Sequence, residues 1–271
     1  MSRGEAAEPN AAFDGGAPTI SAMLVLRSLA FNLAYYLNLL LWLVGLLPTL
    51  VLPRRVLVAA VRVWARSNLA LLRLICGIDV EVRGASNIPQ GGLIVAAKHQ
   101  SVWETFALSL FFEDPCYIMK RELMWIPFFG WYCAKGRMIA INRGARSAAL
   151  RGMIASARAE LAAERQILIF PEGTRRPPGA PPAYKFGVSF LYEQGGVPCL
   201  PIALNSGLFW PRRQMIRRPG TIVLDIRPPI PPGLPRATAF ARMQEEIEAG
   251  SQALLAESRA RQRARPTKAL A

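Results

Sequence analysis

His99 is the only histidine in this 271-residue chain, and its neighbours give it the setting of an acid–base residue. Imidazole is the side chain that most readily takes and returns a proton near neutral pH. It follows Leu93-Ile94-Val95-Ala96-Ala97, an apolar run with the profile of a buried strand. It precedes Trp103-Glu104-Thr105-Phe106-Ala107-Leu108, which reads as the start of a helix. A base at a strand-to-helix junction, with the Glu104 carboxylate five residues on, is a candidate acid–base pair. At about 100° per residue, positions i and i+5 fall on different faces of a regular helix, so His99 has to lie before the first turn. Ser101-x-x-Glu104 also fits a capping box, in which the Glu side chain reaches back to the cap's backbone N–H. The two uses of Glu104 compete for the same oxygens. The alternative for His99 itself is a lone histidine with a purely structural role.

Composition narrows the partners. Lys and Arg number 33 against 18 Asp and Glu, a formal charge of +15, while 52% of residues are hydrophobic. A chain both basic and apolar suits an anionic membrane surface better than a nucleic acid. No zinc-finger or RNA-binding signature appears among the basic residues. Cys76, Cys116, Cys133 and Cys199 form no C-x-x-C pair, and with one histidine available a metal site is not expected. Free thiols in a reducing compartment are the simplest reading.

The elements that must position His99 follow from patterning. Residues 1–19, rich in Ala, Gly and Pro, are expected to form a disordered tail. The uncharged run from Ser28 to Leu52 is long enough, at about 1.5 Å per residue, to cross a hydrocarbon core of about 30 Å. Arg54, Arg55, Arg62, Arg66 and Arg73 follow it, and only Arg27 lies close before it. The excess of positive charge on that side places the remainder of the chain on the cytoplasmic face of the inner membrane. Gly45 and Pro48 leave open a re-entrant hairpin instead of a crossing. Val56–Ile75 reads as an amphipathic helix, either in the headgroup layer or packed on the globular part. Residues 20–77 are thus expected to anchor the chain.

Beyond Ile78 strands alternate with helices. Expected strands are Asp79–Arg83, Gly92–Ala97, Cys116–Met119, Met138–Ile141, Ile167–Phe170, Cys199–Ala203 and Thr221–Ile226. Expected helices are Val102–Phe112, Arg146–Ala163 and one near Gly187–Glu193. This is the pattern of an α/β fold with a mostly parallel sheet flanked by helices, over residues 78–235. Phe240–Ala256 reads as a terminal helix within 236–271, ending in the basic run Arg259, Arg261, Arg263, Arg265 and Lys268.

Four segments carry polar chemistry at strand ends: His99–Glu104, Met138–Arg143, Phe170-Pro171-Glu172-Gly173-Thr174-Arg175 and Val197–Ile202. In this order, over roughly residues 80 to 230, they resemble the 1-acylglycerol-3-phosphate acyltransferase (lysophosphatidate acyltransferase) family of glycerolipid acyltransferases. The Phe-Pro-Glu-Gly-Thr-Arg string is the most specific match. Glu104 stands where the family usually has Asp, keeping the charge on a longer arm.

The resemblance implies that His99 is the general base and Glu104 orients its ring. It implies a free hydroxyl of a lysophospholipid attacking the thioester of acyl-CoA or acyl-carrier protein, these being co-substrates, with no other cofactor. Arg175 and Arg143, with Lys120 as a third, are then expected to hold the acceptor's phosphate, for which the planar Arg fork is suited. Glu172, Gly173 and Thr174 are expected at the substrate, Glu172 either bonding the acceptor or bracing its loop; Lys185 is a weaker candidate. The leading expectation is acylation of 1-acyl-sn-glycerol 3-phosphate at its second hydroxyl, giving phosphatidate. Lyso-ornithine lipid or glycerol 3-phosphate as acceptor, or a non-catalytic lipid-binding role, are the alternatives. The absence of a G-x-S-x-G elbow disfavours a serine hydrolase.

Overall fold

The computed structural model describes residues 21–142 and 146–264, apart from the side chains at 146 and 262. The expected tail at 1–19, Arg143, Arg265 and Lys268 lie outside the described residues. Seven strands form one sheet: β1 (Ile78–Arg83), β2 (Leu93–Ala97), β3 (Pro115–Lys120), β4 (Ile139–Ile141), β5 (Gln166–Ile169), β6 (Cys199–Leu204) and β7 (Gly220–Ile226). Their order is β1-β7-β6-β2-β5-β3-β4. Every neighbouring pair is parallel except β6–β7, which is antiparallel.

Burial on both faces explains why the central strands are continuous apolar runs rather than alternating ones. All five residues of β2 are buried. Leu93, Val95 and Ala97 point into one core, and Ile94 and Ala96 into the other. Each buried Leu, Ile or Val contributes about 1.5–3 kcal/mol relative to exposure, so a polar substitution anywhere on β2 would be felt. Helices α1 (Ala22–Gly45), α2 (Arg54–Leu71) and α3 (Trp103–Ala107) join the first core through Phe31, Tyr35, Ala65, Trp103 and Phe106. A short helix, α4 (Phe129–Lys135), lies between β3 and β4. The second core is covered by α5 (Arg146–Ala162), α6 (Gly187–Gly195) and α8 (Arg236–Arg263); α7 (Ser206–Phe209) follows β6. The terminal helix is longer than its apolar pattern suggested. It is also part of the second core, with Met243 and Ile247 buried in the same cluster as Ile94.

The run from Ser28 to Leu52 is not one helix. α1 begins earlier, where the Ser21 Oγ accepts from Leu24 N at 3.2 Å. After Gly45 the 3₁₀ turn Leu47–Leu50, with Pro48 in its first turn, reverses the chain into α2. Asn38 Nδ2 then bridges the two helices, reaching Ser67 Oγ at 2.9 Å and Asn68 Oδ1 at 3.2 Å. The 24 residues of α1 still extend about 36 Å, and its composition remains apolar enough for a membrane. One side of α1 is committed to the globular part, however: Ser28, Phe31, Asn32 and Tyr35 are buried. Its outer side exposes Leu33, Leu37, Leu40 and Leu41. α2 is likewise packed on the sheet layer, with Arg54 paired to Asp114 and Arg62 Nη2 donating to Phe112 O at 2.5 Å.

Candidate active site

Register brings the chemistry to one edge of the sheet. Ala96 of β2 is opposite Ile169 of β5, and Ala97 is opposite Ile202 of β6. His99, Phe170–Arg175 and Ser206 therefore emerge together at the carboxyl ends of three parallel strands. That is where open α/β sheets bind ligands.

His99 Nδ1 lies 2.9 Å from Glu104 Oε1, and Glu104 is fully buried. The same oxygen accepts from Gln100 N and Ser101 N, each at 2.6 Å, and Oε2 accepts from Ser206 Oγ at 2.8 Å. Acid partner and helix-start acceptor are thus one arrangement: a single carboxylate oxygen serves both. His99 precedes the first turn, as the five-residue spacing required. Four donors converge on the carboxylate and hold it in place, and the bond to Oε1 makes Nδ1 the ring nitrogen that carries the hydrogen. The imidazole stacks on Phe170 with ring centres 4.1 Å apart and planes 18° apart. No described residue bonds its Nε2, so that nitrogen has a lone pair to offer to a hydroxyl.

The Phe170–Arg175 loop is braced from beneath. Glu172 Oε1 accepts from Lys98 Nζ at 2.9 Å, and Oε2 from His99 N at 3.2 Å. Lys98 Nζ also donates to Glu248 Oε1 of α8 at 2.5 Å, and Tyr184 OH donates to that oxygen at 2.7 Å. Burial, then the bond to Glu248, pushes the Tyr184 phenol far above its usual pKa, which keeps it a donor. The loop also binds the His99 backbone, through Arg176 N to His99 O at 2.8 Å. Of the two roles expected for Glu172, this geometry is the brace. Its carboxylate is buried with both oxygens engaged, as a brace for the loop requires. Gly173 has φ +67°, and a Cβ there would lie 3.2 Å from Lys185 Cε, which crosses over it. Only glycine accepts that conformation and that crossing without strain. Thr174 is exposed on the loop's outer side.

Arg175 is half-buried beside the pair. Desolvation, followed by repulsion from Arg212 and Arg213, lowers its pKa, while Glu104 acts in the opposite direction. None of these three arginines forms an ion pair with a carboxylate among the described residues. Cations gathered without counter-charge, next to a base with an open lone pair, are suited to an anionic substrate that carries a reacting hydroxyl.

The acyltransferase family profile matches residues 79–205. A 1-acyl-sn-glycerol-3-phosphate acyltransferase of Pseudomonas aeruginosa is 40% identical over 194 residues, which is 72% of this chain and 76% of the relative. This chain belongs to the 1-acylglycerol-3-phosphate acyltransferase family. The mouse 1-acyl-sn-glycerol-3-phosphate acyltransferase alpha is 32% identical over 184 residues, 64% of this chain and 65% of that one. The crystal structure of the 1-acyl-sn-glycerophosphate acyltransferase PlsC from Thermotoga maritima superposes with a TM-score of 0.72 at 25% identity, covering 85% of this chain and 97% of that one.

For an acyltransferase of this family, the remaining expected residues are distributed unevenly. Lys120 is exposed at the carboxyl end of β3, two strands from β2 on the same edge. Arg143 lies outside the described residues. Val197–Ile202 leads into β6, whose six residues, Cys199–Leu204, are all buried. Residues that sequence reasoning missed are Ser206, Phe170 as the ring's platform, and the pair Arg212–Arg213. The adjacent arginines of Trp210-Pro211-Arg212-Arg213, soon after a strand, were the available signal for the last. Ser206 gave none, because its partner Glu104 is 102 positions away.

Proposed function

We propose that this acyltransferase moves a fatty acyl group from acyl-CoA or acyl-carrier protein to the sn-2 hydroxyl of 1-acyl-sn-glycerol 3-phosphate, making phosphatidate for phospholipid biosynthesis. The observation that carries this reading is the His99–Glu104 pair, with Nε2 unbonded, beside the unpaired Arg175. The acceptor hydroxyl donates its proton to His99 Nε2 as its oxygen attacks the thioester carbonyl. The imidazolium that forms is stabilised by Glu104 across Nδ1. The tetrahedral centre then collapses, the carbon–sulfur bond breaks, and the thiolate takes the proton back from His99. Base and proton balance without an acyl-enzyme. General-base assistance of this kind supplies about 10²–10⁴ in rate, and holding both substrates in line supplies much of the remainder.

Arg175 grips the phosphate of the acceptor, with Arg143 and Lys120 as further cations. Glu172 and Gly173 shape the loop that presents Arg175 and Thr174. The outer apolar row of the α1–α2 hairpin attaches the enzyme to the inner membrane from its cytoplasmic face. Lysophospholipid acceptors reside there, and the basic surface favours anionic lipid.

The test is parallel incubation of purified protein with lysophosphatidate, lyso-ornithine lipid and glycerol 3-phosphate, using labelled acyl-CoA and acyl-carrier protein as donors. Phosphatidate as the dominant product supports the reading. Product only from another acceptor, or from none, overturns it.

A further inference from the structure

We propose that Arg212, with Arg213 beside it, is a second arm of the acceptor's phosphate site, supplied by the loop between α7 and β7. The inference rests on lysophosphatidate as the acceptor and concerns which residues hold its headgroup.

Three observations place that arm. First, Arg212 Nη1 donates to Thr174 Oγ1 at 3.3 Å and to Arg175 O at 3.1 Å. The guanidinium therefore rests on the loop that presents Arg175, and its other nitrogens make no hydrogen bond to a described residue. Second, Arg213 adopts φ +58°, a left-handed conformation that residues with a side chain rarely take. Arg212 and Arg213 both lie close enough to Arg175 to repel it, and no described carboxylate pairs with any of the three. Glu104, the acid that favours Arg175, already receives four donors.

Third, the loop is held rather than loose. Asn32 Nδ2 of α1 donates to Met215 O at 3.0 Å, and Ser28 Oγ accepts from Arg217 N at 2.9 Å. Arg217 spans from Asn32 Oδ1, at 2.8 Å, onto the Trp210 ring, 4.8 Å from its centre. The cations thus stand where the apolar helix α1 meets the His99 edge. A phosphate monoester offers enough acceptor oxygens for more than one Arg fork, and repulsion between the guanidinium groups is relieved when the dianion binds.

The experiment compares native enzyme with Arg212→Ala, Arg212→Lys and Arg213→Ala. Acceptors are lysophosphatidate and 1-monoacylglycerol, which has the same hydroxyl and no phosphate. Binding of sn-glycerol 3-phosphate by calorimetry is read separately from turnover. For Arg212→Ala, kcat/KM on lysophosphatidate should fall roughly 10- to 100-fold, mainly through KM, as expected for loss of a hydrogen bond between charged groups. Its rate on monoacylglycerol should stay within about twofold of native. Arg212→Lys should recover part of the loss, and Arg213→Ala should lose less than Arg212→Ala. Equal losses on both acceptors would show a merely structural loop and overturn the inference. So would unchanged lysophosphatidate kinetics. If native enzyme fails to acylate lysophosphatidate, the acceptor assignment falls. The phosphate arm is then judged by calorimetry alone, where equal binding by native and Arg212→Ala overturns it.

Discussion

Replacing Glu104 by Gln isolates the charge of the acid partner from its geometry. The Oε1 position receives Gln100 N, Ser101 N and His99 Nδ1, so the amide must place its oxygen there. The amide NH₂ then occupies the Oε2 position, where Ser206 Oγ can turn to accept instead of donate. Ring orientation and tautomer are therefore kept, and only the negative charge facing the imidazolium is lost. Two unit charges about 4 Å apart at an effective dielectric of about 20 attract by about 4 kcal/mol, an upper figure for this pair. At about 1.4 kcal/mol per decade, Glu104→Gln should lower kcat by about 10²–10³. KM for the acceptor should hardly change, and the melting temperature should stay within a few degrees. The assay is transfer of labelled acyl groups from acyl-CoA to lysophosphatidate, with thermal melting followed by circular dichroism. A variant that folds normally and keeps more than about a third of the native kcat would refute the claim that Glu104 stabilises a charged intermediate.

Other consequences are independent of that pair. Lys98, 3% exposed, balances Glu172 and Glu248, so Lys98→Met leaves the buried Glu172 and the part-buried Glu248 carboxylates opposed; a loss of about 3–5 kcal/mol is expected, read as a melting decrease on the order of 10 °C. An unchanged melting temperature would contradict the brace. Burial raises the Cys116 thiol to about 11 and those of Cys133 and Cys199 to about 12. Raised values keep the thiols protonated at neutral pH, so Ellman's reagent should find almost none in native protein and all four cysteines in denaturant. Converting Leu33, Leu37, Leu40 and Leu41 to Ser should abolish flotation with anionic phospholipid vesicles while the melting temperature holds. Undiminished flotation would remove the outer row of α1 from membrane attachment.

Strand after strand was readable from the sequence because both sheet faces are buried, which concentrates Val, Ile and Leu into short runs bounded by polar turns. The seven expected strands coincide with the seven observed to within a residue or two at each end. The pairing order was not readable, since nothing local tells β2 to lie between β5 and β6. The N-terminal hairpin was partly hidden. Hydropathy alone runs on through Pro48 to Leu52, whereas the backbone cannot, and the buried polar face of Ser28 and Asn32 only makes sense once Arg217 is opposite. The same holds at the site. His99, Glu104 and Arg175 stand in recognisable local strings. Lys98, Glu248 and Ser206 act through partners 74 to 150 positions away, and Arg212 reaches back 37 to Arg175. Long-range side-chain pairing leaves no local trace in one sequence.

The most direct measurement is single-turnover acyl transfer to lysophosphatidate by His99→Ala, alongside native protein and with the melting temperature of each recorded. With the proton acceptor removed and the cations left in place, acceptor binding should persist while phosphatidate forms about 10²–10⁴ times more slowly. Phosphatidate appearing at the native rate from a normally folded His99→Ala protein would mean that this imidazole does not take the proton, and the account would fail with it.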